Sequence, residues 1–118
     1  MLSSVITKKM INSTGNKKIE ALLTAVRKKF VAADIVSELK EIREIARIET
    51  NPALVKICRL AYQYIEQNGN LDIEMADEEE ELGMPVIEYL LECMLHSDKE
   101  INQMEIKEIR DILMAELY

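Results

Sequence analysis

Apolar residues recur along this chain at helical spacing almost from end to end. Ile19, Leu22, Leu23, Val26 and Phe30 form one stripe at i, i+3, i+4, i+7 and i+11. Asn16 stands three residues ahead of that stripe as a candidate N-cap. A second stripe, Ile35, Leu39, Ile42, Ile45, Ala46 and Ile48, follows, with Asp34 as its candidate cap. The polar side of that helix carries Glu38, Lys40, Glu41, Arg43, Glu44 and Arg47, nearly alternating in sign, as suits a solvated face. Thr50-Asn51-Pro52 then reads as stop, cap and first helical residue. The next helix turns Leu54, Ile57, Cys58, Ala61 and Ile65 inward and ends near Asn68-Gly69. Two more patterns complete the chain: Ile87, Leu90, Leu91, Met94 and Leu95 after Pro85, and Ile106, Ile109, Ile112, Leu113 and Leu117. Residues 1–15 read equally as a short helix or as a frayed basic segment.

Between residues 68 and 85 the periodicity weakens. Asp72 is placed to cap an acidic helix reaching Leu82, which Gly83 and Pro85 break. The run Asp77-Glu78-Glu79-Glu80-Glu81 gathers five like charges. Near a helix N-terminus they interact favourably with the dipole but repel one another, so a solvated first turn competes with a protein-contact surface. A shift of thirty residues lays Leu60 on Leu90, Tyr64 on Met94 and Ile65 on Leu95. It also lays Asn68-Gly69-Asn70-Leu71-Asp72 on Asp98-Lys99-Glu100-Ile101-Asn102. Each copy reads as helix, polar turn with one inward aliphatic (Leu71 or Ile101), cap, helix. In the second, Asn102 and Glu105 have the spacing of a capping box. The expected architecture is a single all-α domain of five or six helices over 16–118, with a tandem helix–turn–helix repeat at about 60–82 and 90–112.

The second turn, Asp98-Lys99-Glu100-Ile101-Asn102-Gln103-Met104-Glu105, resembles the pattern Asp-Gly-x-Ile-(Ser/Thr)-x-x-Glu of the tellurite-resistance TerB-like family, small acidic all-helical domains. The likeness covers about residues 90–113; Lys99 replaces the expected Gly, and Asn68-Gly69-Asn70-Leu71 is a weaker copy. It implies a non-enzymatic intracellular domain with a divalent cation at acidic turn residues, and it nominates Asp98 and Glu105. Tested as a calcium loop, the stretch from Met94 to Glu105 has a carboxylate at its twelfth position but none at its first, so an EF-hand is not expected. A weak cation site built from Asp98, Glu100 and Glu105 survives that test. Cys93 and His96, at i and i+3, share one side of a helix, but a zinc site needs three or four ligands and a Cys–His nucleophile needs an orienting base and an oxyanion site. The simpler assignment makes Cys93 a core residue and His96 a side chain near a helix C-terminus.

Composition narrows the partners. The chain has 118 residues, 48% of them hydrophobic, with seven Met but one Phe and no Trp. Three Gly and two Pro are too few for an all-β fold. Two distant Cys within apolar helical patterns read as reduced core thiols, and no apolar run approaches a membrane span. Lys8 and Lys9 interrupt the apolar positions after Leu2, Val5 and Ile6, which leaves no signal-peptide core. A cytoplasmic protein is expected.

Charge is uneven. Lys8, Lys9, Lys17, Lys18, Arg27, Lys28 and Lys29 face one acid, Glu20, in residues 1–30, whereas residues 69–118 hold fifteen carboxylates against Lys99, Lys107 and Arg110. A net charge of -7 disfavours nucleic acid; the basic stretch would touch phosphates without reading bases. It can instead face the acidic half of the same molecule or of a neighbour. The sequence thus leads to a non-catalytic protein-interaction or regulatory module, with another protein or a second copy as partner and no required cofactor. The contact region expected is the acidic surface around 72–81. Two alternatives stand beside it: the TerB-like cation-binding domain, and an acidic inhibitor of the immunity-protein kind that covers a basic partner.

Overall fold

The computed structural model describes residues 13–73 and 85–118, which contain five helices. We label them α1 (Ser13–Lys28), α2 (Ala32–Ile48), α3 (Pro52–Asn68), α4 (Val86–Leu95) and α5 (Glu100–Leu117). The fold is all-α, as the periodicity predicts. Of the acidic helix expected over 72–82, residues 74–82 lie outside the described residues, while Asp72 and Ile73 are described and not helical. Most of the basic segment 1–15 also lies outside them.

The principal contacts close a ring. α1 packs on α2, α2 on α3, α3 on α5, α5 on α4, and α4 back on α1. Every helix therefore has two main neighbours and turns one stripe to a shared core. That core takes Ile19, Leu22, Leu23 and Val26 from α1, and Ile35, Leu39, Ile42 and Ala46 from α2. α3 contributes most heavily, with Leu54, Ile57, Cys58, Leu60, Ala61, Tyr64 and Ile65 all buried. Leu71 and Ile73 extend the core beyond α3. Burial of this many aliphatic side chains is the main favourable term holding the helices together.

The helix ends follow the expected chemistry at α3 and depart from it elsewhere. The Asn51 Oδ1 accepts from the Leu54 N–H at 3.3 Å, Pro52 takes the first helical position, and Gly69 ends the helix at a φ of 81°. α1, by contrast, begins at Ser13, so Asn16 is no cap; its Oδ1 is buried without a hydrogen-bond partner among the described residues. α2 begins at Ala32 behind Val31, which places Asp34 inside the first turn, where its charge favours the helix dipole without capping. α5 begins at Glu100, so Asn102 lies within the helix. Its side chain donates to the His96 carbonyl at 2.8 Å, and the Gln103 amide donates to the Ser97 carbonyl at 2.7 Å. The first joins the Lys99 N–H on the His96 carbonyl, and both tie the start of α5 to the end of α4.

Two aliphatic residues expected inward point outward. Ile48 is 77% exposed because it stands two residues, roughly 200° of helix, from the buried Ala46. Ile101 is 59% exposed for the same kind of reason, five residues and roughly 140° from the buried Ile106. The two turns of the repeat therefore differ in substance: Leu71 is core and Ile101 is surface.

The α2–α3 turn is a Schellman motif with an unusual occupant. The Asn51 N–H donates to the Ala46 carbonyl at 2.9 Å and the Thr50 N–H to the Arg47 carbonyl at 3.1 Å. Thr50 sits at a φ of 58°, where a β-branched side chain is strained. Thr50→Gly is expected to raise the unfolding free energy by about 1 kcal/mol, less what the freer unfolded chain takes back. Urea denaturation checks this; a loss of stability would mean that the Thr50 side chain makes compensating contacts.

Candidate functional site

The residues nominated for a metal do not converge. Asp98 and Glu100 are exposed on the α4–α5 turn and the first residue of α5, whereas Glu105 is half-buried a turn further on. Glu105 lies beside Tyr89, whose hydroxyl is held protonated well above its ordinary range by burial and then by the hydrogen bond to this carboxylate. Only residues 96–99 separate α4 from α5, too short a turn for a twelve-residue calcium loop. Among the described residues, no three His, Cys, Asp or Glu side chains are grouped to hold a metal ion. Calcium, magnesium, manganese or zinc at fixed ionic strength is therefore expected to shift the melting temperature by less than about 1 °C. A shift of several degrees abolished by Glu105→Gln would show that these carboxylates gather around the ion.

Cys93 and His96 also separate. Cys93 is buried, and burial pushes its thiol up to about 11. His96 is exposed at the end of α4, with its Nε2 4.0 Å from Glu92. Cys58 is fully buried, and its thiol is pushed up to about 12 by the same cause. Thiols this hard to ionise are poor nucleophiles.

The basic stretch is partly spent within the molecule. The Lys18 Nζ reaches Glu41 at 2.7 Å and Glu38 at 3.2 Å on α2, and these bonds raise its pKa. Arg27 spans from α1 to Glu88 and Glu92 on α4. Lys8 and Lys9 lie outside the described residues, as does the whole acidic run 77–81.

Sequence reasoning missed a different surface, where α3 and α5 begin. A groove of about 550 Å³ runs between them, lined by the apolar Pro52, Ala53, Met104 and Ile106 and by the cations Lys56, Lys107 and Arg110. Its α5 wall comes from Gln103, Lys107 and Arg110, at i, i+4 and i+7, so one stripe of the helix faces it. Pro52 and Lys56 also border a second hollow of about 430 Å³ over the α2–α3 turn, with Arg47, Val55 and Arg59. Of the five exposed large hydrophobic residues among the described ones, Met104 lines the first hollow, and Tyr118 is tied to Arg59, which borders the second. Ile48 and Tyr118 are each 77% exposed, Met104 60% and Ile101 59%. Tyr118 is held there by its hydroxyl, which lies 3.3 Å from the Arg59 guanidinium and donates to the Gln63 Oε1 at 3.2 Å.

The sequence carried half of the signal, the outward Met104, Lys107 and Arg110 of α5. Nothing in it showed that Pro52 and Lys56 would meet them. No protein family, curated protein or solved structure compared with this chain matches it. Among the described residues no helix is long and apolar enough to cross a membrane.

Proposed function

We propose that this protein is a non-catalytic interaction module that engages another protein through the surface where α3 and α5 begin. The observation carrying this reading is the pair of adjoining hollows that share Pro52 and Lys56, with the exposed Met104 lining one and the exposed Tyr118 bonded to Arg59 at the other. Exposed apolar side chains scattered singly need no explanation, whereas a group of them beside a groove, rimmed by polar residues, has the anatomy of a binding surface. Met104 suits the role because a flexible thioether adapts to different partners. A cytoplasmic setting belongs to the same proposal, since a reducing compartment keeps the buried Cys58 and Cys93 as thiols. The acidic run 77–81 stands as a second contact on its sequence alone.

The test uses the whole chain as bait, beside an Ile101→Ser/Met104→Ser variant. Both positions are exposed, so the variant is expected to melt like the parent. The reading requires that a partner recovered by the parent be lost by the variant. Recovery of the same partners by both would move the binding surface elsewhere.

A further inference from the structure

The groove between α3 and α5 is cationic on a chain whose net charge is -7. Among the described residues, neither Lys56 nor Lys107 has a carboxylate within ion-pair distance. Arg59, beside them, finds only neutral oxygens: the Gln63 Oε1 and the Tyr118 hydroxyl, each at 3.3 Å. Arg110 shares its charge with the adjacent Asp111, and one carboxylate, Glu100, lines the groove. The hollow between α1 and α2 differs in holding two carboxylates. There Lys18, Lys28 and Lys29 stand with Asp34 and Glu38, and Lys18 is paired. Positive charge unpaired among the described residues of an acidic protein, beside apolar side chains, is complementary to a ligand with both negative charge and an aliphatic group.

We infer that the α3–α5 groove receives an acidic peptide segment of a partner protein. An aliphatic side chain of that segment rests on Met104 and Ile106, and its carboxylates meet Lys56, Lys107 and Arg110. The inference rests on the interaction-module reading and adds the chemistry of the partner. A peptide fits better than a nucleic acid for two reasons. The apolar lining of Pro52, Ala53, Met104 and Ile106 offers nothing to a phosphate backbone but matches an aliphatic anchor. A nucleic acid also carries its charge densely enough to be repelled by the rest of the molecule, whereas a short segment with a few carboxylates is repelled less.

Fluorescence anisotropy with the full chain tests this. The probes are a labelled amphipathic peptide of Glu and Leu at helical spacing, the same peptide with Gln for Glu, and an oligothymidylate of equal charge. The Glu peptide is expected to bind at least about tenfold more tightly than its Gln analogue, and less tightly as salt rises. Lys56→Glu/Lys107→Glu is expected to weaken it at least about tenfold, and Lys28→Glu/Lys29→Glu to leave it unchanged. Lys28, Lys29 and Lys107 are exposed and Lys56 is half-buried, and the melting temperature of each variant confirms that it folds. Equal affinity for the Gln peptide, tighter binding of the oligothymidylate, no binding of the Glu peptide, or indifference to the Lys56/Lys107 reversal would each overturn the inference. Self-association abolished by that reversal would assign the groove to a second copy and overturn it too. A partner captured through Ile101 and Met104 without salt dependence would preserve the interaction reading while removing the acidic peptide.

Discussion

Ile57→Ala is expected to lower the unfolding free energy by about 2–5 kcal/mol, the usual cost of removing a buried aliphatic side chain whose surroundings cannot collapse. Ile57 is fully buried on α3, and α3 packs on both α2 and α5. A domain of this length is stable by only about 6–18 kcal/mol, so the loss is a large fraction of the whole. Thermal unfolding should report it as a fall of roughly 10–20 °C. Ile48→Ala removes an equal volume from a side chain 77% exposed and is expected to change stability by less than about 0.5 kcal/mol. A small effect at Ile57, or equal effects at the two positions, would contradict the assignment of α3 as the centre of the core.

Alkaline pH is expected to unfold the protein through its thiols. Burial raises Cys58 to about 12 and Cys93 to about 11, from an ordinary value near 9.0. Above that ordinary value the unfolded chain loses thiol protons while the folded chain keeps them, so stability falls as pH rises. The contribution is fully present below about pH 9, starts to decline there, and is exhausted once both folded thiols have ionised. Each thiol costs about 1.4 kcal/mol per pH unit across its window, so the two together remove about 3 kcal/mol per unit between roughly pH 9 and 11. Tyr89, raised for the same reason, adds to the decline above its ordinary range near 10. Urea titrations from pH 8 to 11 measure the slope, and Cys58→Ala should remove about half of the thiol share. A stability unchanged across that range would mean that both thiols ionise freely in the folded state.

The apolar stripes made most of this fold readable before any coordinates. α3 is the clearest element, since Asn51-Pro52 opens it, Gly69 closes it, and Leu54, Ile57, Cys58, Ala61 and Ile65 all lie inside. The sequence misleads where two local signals compete. Asp34 and Asn102 are good capping residues, yet each stands inside a first turn, because Val31 and Lys99 already have the extended backbone that an N-cap requires. Ile48 and Ile101 were legible as hydrophobic but not as surface. Their angular offset from Ala46 and Ile106 decides it, and a stripe counted loosely absorbs them. The metal pattern around Asp98 was readable as a turn, but a turn sequence does not say whether its carboxylates converge.

The α3–α5 groove was out of reach for a different reason. Its two walls lie about fifty residues apart in the chain, and neither Lys56 with Arg59 nor Lys107 with Arg110 stands out as a basic cluster in its own segment. The charge asymmetry pointed instead to the N-terminal lysines and the acidic run. Part of the N-terminal charge turns out to bridge helices, with Lys18 on α2 and Arg27 on α4. Charge totals along a sequence do not say which cations lack a partner in space.

Methyl NMR of the full chain, with carbon-13 in the methionine methyls, reports on the groove and the core in one titration. Met104 is 60% exposed in the groove, whereas Met94 is fully buried in α4 and serves as an internal reference. On addition of the amphipathic Glu–Leu peptide, the Met104 methyl is expected to shift progressively to saturation while Met94 stays in place. A Met104 signal unmoved by saturating peptide, or a Met94 signal that moves as far, would contradict the account.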